Sequence, residues 1–327
     1  MCTAVTYKTN DHYFGRNLDL EYSYNETVTI TPRNYVFNFR QMGKMESHFA
    51  LIGMAFVSGG YPLYYDATNE KGLSIAGLNF PEYAEYKPYR EGKDNITPFE
   101  LIPWILGQCE TVPEAENLLQ RINIFSENFS KELPLSPLHW IISDAERSIT
   151  LESVKTGIKI YDNPVGVLTN NPTFDYHLFN LNNYMSLTNG DSENTFAGQN
   201  GNLELKRYSR GMGAIGLPGD ASSMSRFVRA AFVKMNSVSG RSEQESVSQF
   251  FHILKSVEMQ RGCVKVGKEQ YAVTLYTSCC NTNRGIYYYS TYDNSRICAV
   301  NMHKENLQGN TLTNYPLKTQ QDINYQN

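Results

Sequence analysis

Cysteine stands second in the chain, in Met1-Cys2-Thr3-Ala4-Val5. A small residue behind an initiator methionine permits that methionine's removal, which would leave a thiol and a free α-amino group on one carbon. A free thiol titrates at about 8.5 and an α-amino group at about 7.7–8.0, so a nucleophile would stand beside its own base. A penultimate cysteine needs company before it counts as catalytic, and five further places supply polar residues in apolar surroundings. Arg16 and Asp19 flank Asn17-Leu18, and Asn79 ends the run Ala76-Gly77-Leu78. Asn170 and Asn171 close an apolar stretch before Pro172, and Arg226 interrupts Met224-Ser225-Arg226-Phe227-Val228. Taken singly each reads as a turn asparagine, a cap or a solvated arginine. Together with Cys2 they form a candidate set.

The elements that must position these residues are mostly strands. Residues 2–7 and 12–18 predict a hairpin around Lys8-Thr9-Asn10-Asp11, which brings Arg16 and Asp19 back alongside the chain start. Two-residue alternation predicts further strands at 27–31, 50–56, 73–78, 138–143, 148–153, 157–161, 165–169, 271–277, 285–292 and 297–301, the last three as an antiparallel meander. Between the strand groups, Thr97-Pro98-Phe99-Glu100 predicts an N-cap opening a helix to about residue 107, and Thr111 predicts a second helix reaching Ile122. Longer helices are expected at 222–236 and 242–258. Strands at both ends with helices between them predict an α+β fold rather than regular βαβ alternation. With no linker or repeat, residues 1–327 read as one domain whose polar end, from about residue 308, is expected to be weakly ordered.

Composition narrows the function. Hydrophobic residues make up 41% of the chain, enough for a sizeable core, and no apolar run is long enough to span a bilayer. The start lacks the pattern of a secretory signal, so a cytoplasmic protein with no membrane partner is expected. A net charge of −4 with scattered Lys and Arg argues against nucleic acid as a partner. The cysteines at 2, 109, 263, 279, 280 and 298 form no CxxC pair and have no histidine at ligand spacing, so no metal site and no disulfide are expected. Gly211-Met212-Gly213-Ala214-Ile215-Gly216 satisfies GxGxxG, but polar residues precede it and Pro218-Gly219 follows, which predicts a turn rather than a dinucleotide site. The scattered histidines, His12 and His139 among them, read as structural or surface residues.

Several motifs resemble the choloylglycine hydrolases, a family of bacterial bile salt hydrolases and penicillin V acylases within the N-terminal nucleophile hydrolases. They are Cys2 itself, Phe14-Gly15-Arg16-Asn17-Leu18-Asp19, Asn69-Glu70-Lys71-Gly72-Leu73, Gly77-Leu78-Asn79-Phe80, Leu168-Thr169-Asn170-Asn171-Pro172 and Ser225-Arg226-Phe227. The resemblance runs to about residue 306 and includes the stretches 248–254 and 287–294. It implies a four-layer αββα sandwich with antiparallel sheets, a homotetramer, no cofactor, and hydrolysis of the amide that joins glycine or taurine to a bile acid.

The resemblance also assigns roles that suit the chemistry. The Cys2 sulfur would attack the carbonyl while its amino group relays the proton, directly or through water. Arg16 would favour the thiolate, and Asp19 would accept a hydrogen bond from the amine. Asn79 and Asn170 would donate to the oxyanion, and Arg226 would organise Cys2 and its carboxylate neighbour. Asn171 matches the pattern less well. Asn79 is the residue of bile salt hydrolases at its position, where penicillin V acylases usually carry Tyr. Leu18, Tyr24, Tyr65, Phe129 and Leu133 would wall the substrate site. A penicillin V or related acylase, and a non-catalytic binder of amphipathic ligands, are the alternatives.

Overall fold

Fourteen strands, stacked as two antiparallel sheets, make the centre of the computed structural model, in which residues 1–196 and 205–327 are described. In chain order they are β1 (Cys2–Lys8), β2 (His12–Leu20), β3 (Thr27–Thr31), β4 (Leu51–Ser58), β5 (Tyr61–Asn69), β6 (Ser74–Asn79), β7 (Leu138–Ser143), β8 (Ser148–Val154), β9 (Gly157–Asp162), β10 (Val167–Leu168), β11 (Val273–Asn281), β12 (Ile286–Thr291), β13 (Asn294–Asn301) and β14 (Thr313–Pro316). The six-stranded sheet has the order β10-β1-β2-β11-β12-β13, and the eight-stranded sheet β9-β8-β7-β6-β5-β4-β3-β14. Among the described residues five α-helices accompany them: α1 (Leu101–Leu106), α2 (Val112–Leu119), α3 (Phe174–Asn180), α4 (Ser223–Asn236) and α5 (Glu243–Lys255).

Period-two alternation sorts the side chains into two cores. On β7, Ile141 points into a core shared with Val5, Leu78, Phe227 and Phe250, which lies between the sheets and under α4 and α5. Its neighbours Trp140 and Ile142 point the other way, into a second core with Ile105 and Leu118 of α1 and α2. The layers are therefore α4 and α5, the smaller sheet, the larger sheet, then α1 and α2: a four-layer αββα sandwich. Both sheets are covered on both faces, which explains why β1 is buried from Cys2 to Tyr7 instead of alternating with polar residues. The sheets also approach their own neighbours closely. A Cβ at Gly15 would lie 2.0 Å from Ser278 O, so only glycine lets β2 and β11 pair here.

The first hairpin forms with Cys2 opposite Leu18 and Lys8 opposite His12. Strands β11, β12 and β13 form the expected meander. Other expectations need correction. The helix expected from Thr97 begins at Leu101, because the buried Glu100 carboxylate accepts from Thr97 N at 3.0 Å and Arg40 N at 2.6 Å and holds 97–100 as a turn. Strand β5 and helix α3 were not anticipated. Beyond residue 308, Thr313–Pro316 forms β14, which pairs with β3, and Tyr289 OH accepts from Lys318 N, while residues 319–327 form no helix or strand. The 211–216 segment forms the short 3₁₀ turn Met212–Ala214. All six cysteines are free thiols. Among the described residues, no helix is long and apolar enough to cross a membrane.

Candidate active site

Strand pairing places the candidate nucleophile. Cys2 opens β1, a central strand between β10 and β2, and is 2% exposed. Cys2 pairs with Leu18 and Ala4 with Arg16, so Cys2 and Arg16 share the face turned to the larger sheet. Asn17 and Asp19 take the opposite face, towards the helices. Cys2 is thus approached from the cleft side by one arginine and from the helix side by another.

Arg16 is fully buried and bridges the sheets. Its Nη1 donates to Gly77 O at 2.5 Å and Tyr65 O at 3.0 Å, while Nη2 is buried without a partner. Burial alone would lower its pKa, but the facing Cys2 sulfur, Tyr276, Asp66 and Asp19 outweigh it and hold the guanidinium above its ordinary value. Arg226, also fully buried, reaches from α4 to Cys2 O at 2.5 Å, Thr3 Oγ1 at 2.7 Å and Asn170 Oδ1 at 2.7 Å. Burial lowers its pKa, with Asp19 and Cys2 opposing.

Asp19 accepts from Thr274 Oγ1 at 2.6 Å through Oδ1, and its Oδ2 is buried with no partner. Burial pushes this carboxyl upward, against the charges of Arg226 and the chain's ammonium group. That ammonium, on Met1, donates to Asp19 O at 2.6 Å, and Asp19 N donates to Met1 O at 2.9 Å. The first residue therefore extends the β1–β2 ladder by one pair.

Asn170 lies just beyond β10 and faces Cys2. Its Oδ1 accepts Cys2 N–H at 2.9 Å, and its Nδ2 donates to Asn79 O at 2.7 Å, joining the two asparagine-bearing segments. Asn171 points elsewhere, to Pro81 O at 2.5 Å. The Asn79 side chain lines a cleft of about 360 Å³ with Cys2 and Arg16 at its base. Leu18, Tyr24, Tyr65, Phe129 and Leu133 line the same cleft, as do Phe56, Leu63 and Phe99, which the sequence did not single out. Phe129 meets Phe99 edge-on at 5.2 Å, and Arg40 lies over both rings while donating to Phe129 O at 2.6 Å, which pins this wall.

Sequence reasoning missed two buried groups behind the site. On β5, Asp66 accepts from Tyr276 OH at 2.9 Å, Tyr287 OH at 2.7 Å and Ser278 Oγ at 3.4 Å, and its charge faces Arg16. An acid inside the strand-like run Tyr64-Tyr65-Asp66-Ala67 was its one signal. The second group is histidine-based: His177 Nε2 donates to Asn170 O at 2.8 Å, and its ring stacks on Phe227.

Burial lowers the His177 pKa to about 4, and the bond to Asn170 only partly offsets it. The unfolded chain titrates at about 6.5, so between these values the unfolded state binds the extra proton and stability falls as pH falls; above 6.5 the contribution is complete. At pH 5 the loss amounts to about 2 kcal/mol. Urea unfolding of wild type and His177→Phe should therefore differ less at pH 5 than at pH 7 by about that amount, and an unchanged difference would refute the assignment.

Comparison with known proteins places the chain among relatives that match nearly its whole length. The model of the choloylglycine hydrolase family, described as linear amide C–N hydrolases, matches residues 2–315. A bile salt hydrolase/transferase of Lactiplantibacillus plantarum is 58% identical over 320 residues, covering 98% of both chains. One of the same name from Clostridium perfringens is 40% identical over 332 residues, covering 100% of both. Among solved structures, a mutant conjugated bile acid hydrolase from Clostridium perfringens superposes with a TM-score of 0.92 at 38% identity, covering 100% of both chains. A penicillin V acylase from Agrobacterium tumefaciens shares the fold with a TM-score of 0.72 at 20% identity, covering 96% of this chain and 90% of the acylase. An apolar cleft ending at a cysteine between two arginines, on a matching αββα frame over nearly the whole length, leads to one conclusion: the chain belongs to the choloylglycine hydrolase family of linear amide C–N hydrolases.

Proposed function

We propose that the protein is a bile salt hydrolase that cleaves the amide between a bile acid and glycine or taurine. The observation that carries this reading is the placement of Cys2 at the base of an apolar cleft with its nitrogen held by Asn170. After loss of Met1 that nitrogen is an amine. Asn170 Oδ1 and the unpartnered Asp19 Oδ2 are the acceptors available to orient it, leaving its lone pair for the proton.

Sulfur then attacks the amide carbon, and the carbonyl oxygen becomes negative. The Asn79 amide and the second hydrogen of Asn170 Nδ2 supply the donors, each worth about 2.7–4 kcal/mol of barrier. The Cys2 amine passes a proton to the departing glycine or taurine nitrogen, leaving a thioester. It next removes a proton from water, which attacks the thioester and releases the bile acid with the thiol restored. Arg16 offsets the thiolate's charge from the cleft side. The wall formed by Leu18, Tyr24, Tyr65, Phe129 and Leu133 suits the apolar face of a steroid, and the residue at position 79 favours bile salts over penicillin V.

Two further assignments accompany this reading. Phe179, Met185, Phe196 and Tyr208 are each more than 70% exposed, which supports an assembly of copies, proposed here as a homotetramer. Six unpaired cysteines support a reducing, cytoplasmic setting. The test is glycine or taurine release from glycocholate and taurocholate alongside turnover of penicillin V. Faster conjugate hydrolysis is expected; faster penicillin V turnover, or no turnover of either conjugate by protein lacking Met1, would overturn the assignment.

A further inference from the structure

His139 lies on β7, is fully buried, and touches both segments that carry the candidate oxyanion donors. Its ring stacks on Phe80, the residue after Asn79, with centroids 4.2 Å apart and planes 6° from parallel. Its Nε2 lies 3.0 Å from the carbonyl oxygen of Thr169, the residue before Asn170. Its Nδ1 lies 3.2 Å from Glu152 Oε1, which also accepts Phe174 N–H at 3.0 Å at the start of α3.

Chemistry fixes the tautomer. A carbonyl oxygen only accepts, so the hydrogen facing Thr169 must sit on Nε2. The contact on the other side then requires one proton between Nδ1 and Glu152 Oε1, and Nε2 stays a donor whichever of the two holds it. We infer that His139, locked by Glu152, is a positioning residue that sets the spacing of Asn79 and Asn170 by stacking on one segment and bonding the other. The direct Asn170 Nδ2 to Asn79 O bond closes the same triangle. No atom of His139 is needed at the substrate. Its effect is exerted where two amides must converge on one oxygen, a geometry in which small displacements carry large kinetic penalties.

The inference rests on the oxyanion role proposed for the two asparagines, and the test separates the two. His139→Phe keeps a ring against Phe80 but loses both nitrogens. It is expected to lower kcat for glycocholate about tenfold with KM unchanged. Alkylation of Cys2 by iodoacetamide, which forms no oxyanion, should keep the wild-type rate, and His139→Gln, which retains a donor for Thr169 O, should recover part of kcat. An unchanged kcat, or a fall in alkylation rate in step with kcat, would overturn the inference. Asn79→Ala is measured in parallel: if it leaves kcat intact the oxyanion reading itself fails, whereas a loss there with none in His139→Phe removes only the role of His139. If His139→Phe does not fold, His139→Met takes its place with the same readouts.

Discussion

Cys2→Ser should retain the fold and lose the activity, with kcat/KM for glycocholate falling by about 10⁴-fold or more. The hydroxyl fits where the sulfur lies, because it is smaller, and the bonds that hold residue 2 run through its backbone: N–H to Asn170 Oδ1 and O to Arg226 Nη1. Thermal unfolding should therefore change little. What is lost is a group whose deprotonated form is within reach of a neighbouring amine and whose charge Arg16 can offset. A chain that keeps Met1 should be equally inactive, since a peptide nitrogen cannot take up the proton. The comparison uses intact-mass measurement to establish the first residue and chromatographic assay of released glycine. Turnover by Cys2→Ser at a tenth of the wild-type rate would remove Cys2 from its assigned role.

Arg226→Leu should be the most damaging substitution for stability, costing about 3–5 kcal/mol in urea unfolding. Its guanidinium is wholly buried and satisfies Cys2 O, Thr3 Oγ1, Asn170 Oδ1 and Ala221 O. Leucine takes the guanidinium donors from Cys2 O, Thr3 Oγ1 and Ala221 O, leaves Asn170 Oδ1 with Cys2 N–H alone, and removes the largest opposing charge from Asp19, whose Oδ2 already lacks a partner. Part of the penalty is thus the price of isolating Asp19. Arg226→Leu combined with Asp19→Asn should therefore lose less than the sum of the two single variants. A cost below about 1 kcal/mol for Arg226→Leu, or strict additivity in the double variant, would show that the two charges are not coupled.

The candidate set was readable in the chain because it follows local pattern. The hairpin from Cys2 to Leu20 is short in sequence, with turn residues at its tip, so its register follows directly and with it the placement of Arg16 beside the chain start. The residues around Asn79, Asn170 and Arg226 stood out as polar groups in apolar runs. What was hidden depends on contacts between distant segments. Strand β5 begins Tyr61-Pro62 and carries Asp66, both unfavourable for a strand until Tyr276 and Tyr287 from the other sheet satisfy the acid. His139 sat beside Trp140 with no acid nearby in sequence; its partner Glu152 arrives through the pairing of β7 with β8. Thr313–Pro316 lies in a stretch of polar composition, yet backbone pairing to β3 makes it a strand.

Most of the candidate chemical residues and part of the candidate wall lie in different kinds of structure, although Leu18 and Tyr65 of the wall are strand residues and Asn170 lies just past a strand. Cys2, Arg16, Asp19 and Asn79 lie in hydrogen-bonded strands and Arg226 in a helix, whereas Tyr24, Phe129 and Leu133 lie in irregular connections between elements. Connections of that kind accept exchanges and length changes that a paired strand between two covered faces does not. Preference for one amide or another can therefore drift over generations while bond cleavage itself stays conserved, and engineering aimed at a new acyl group should begin in residues 21–26 and 126–137.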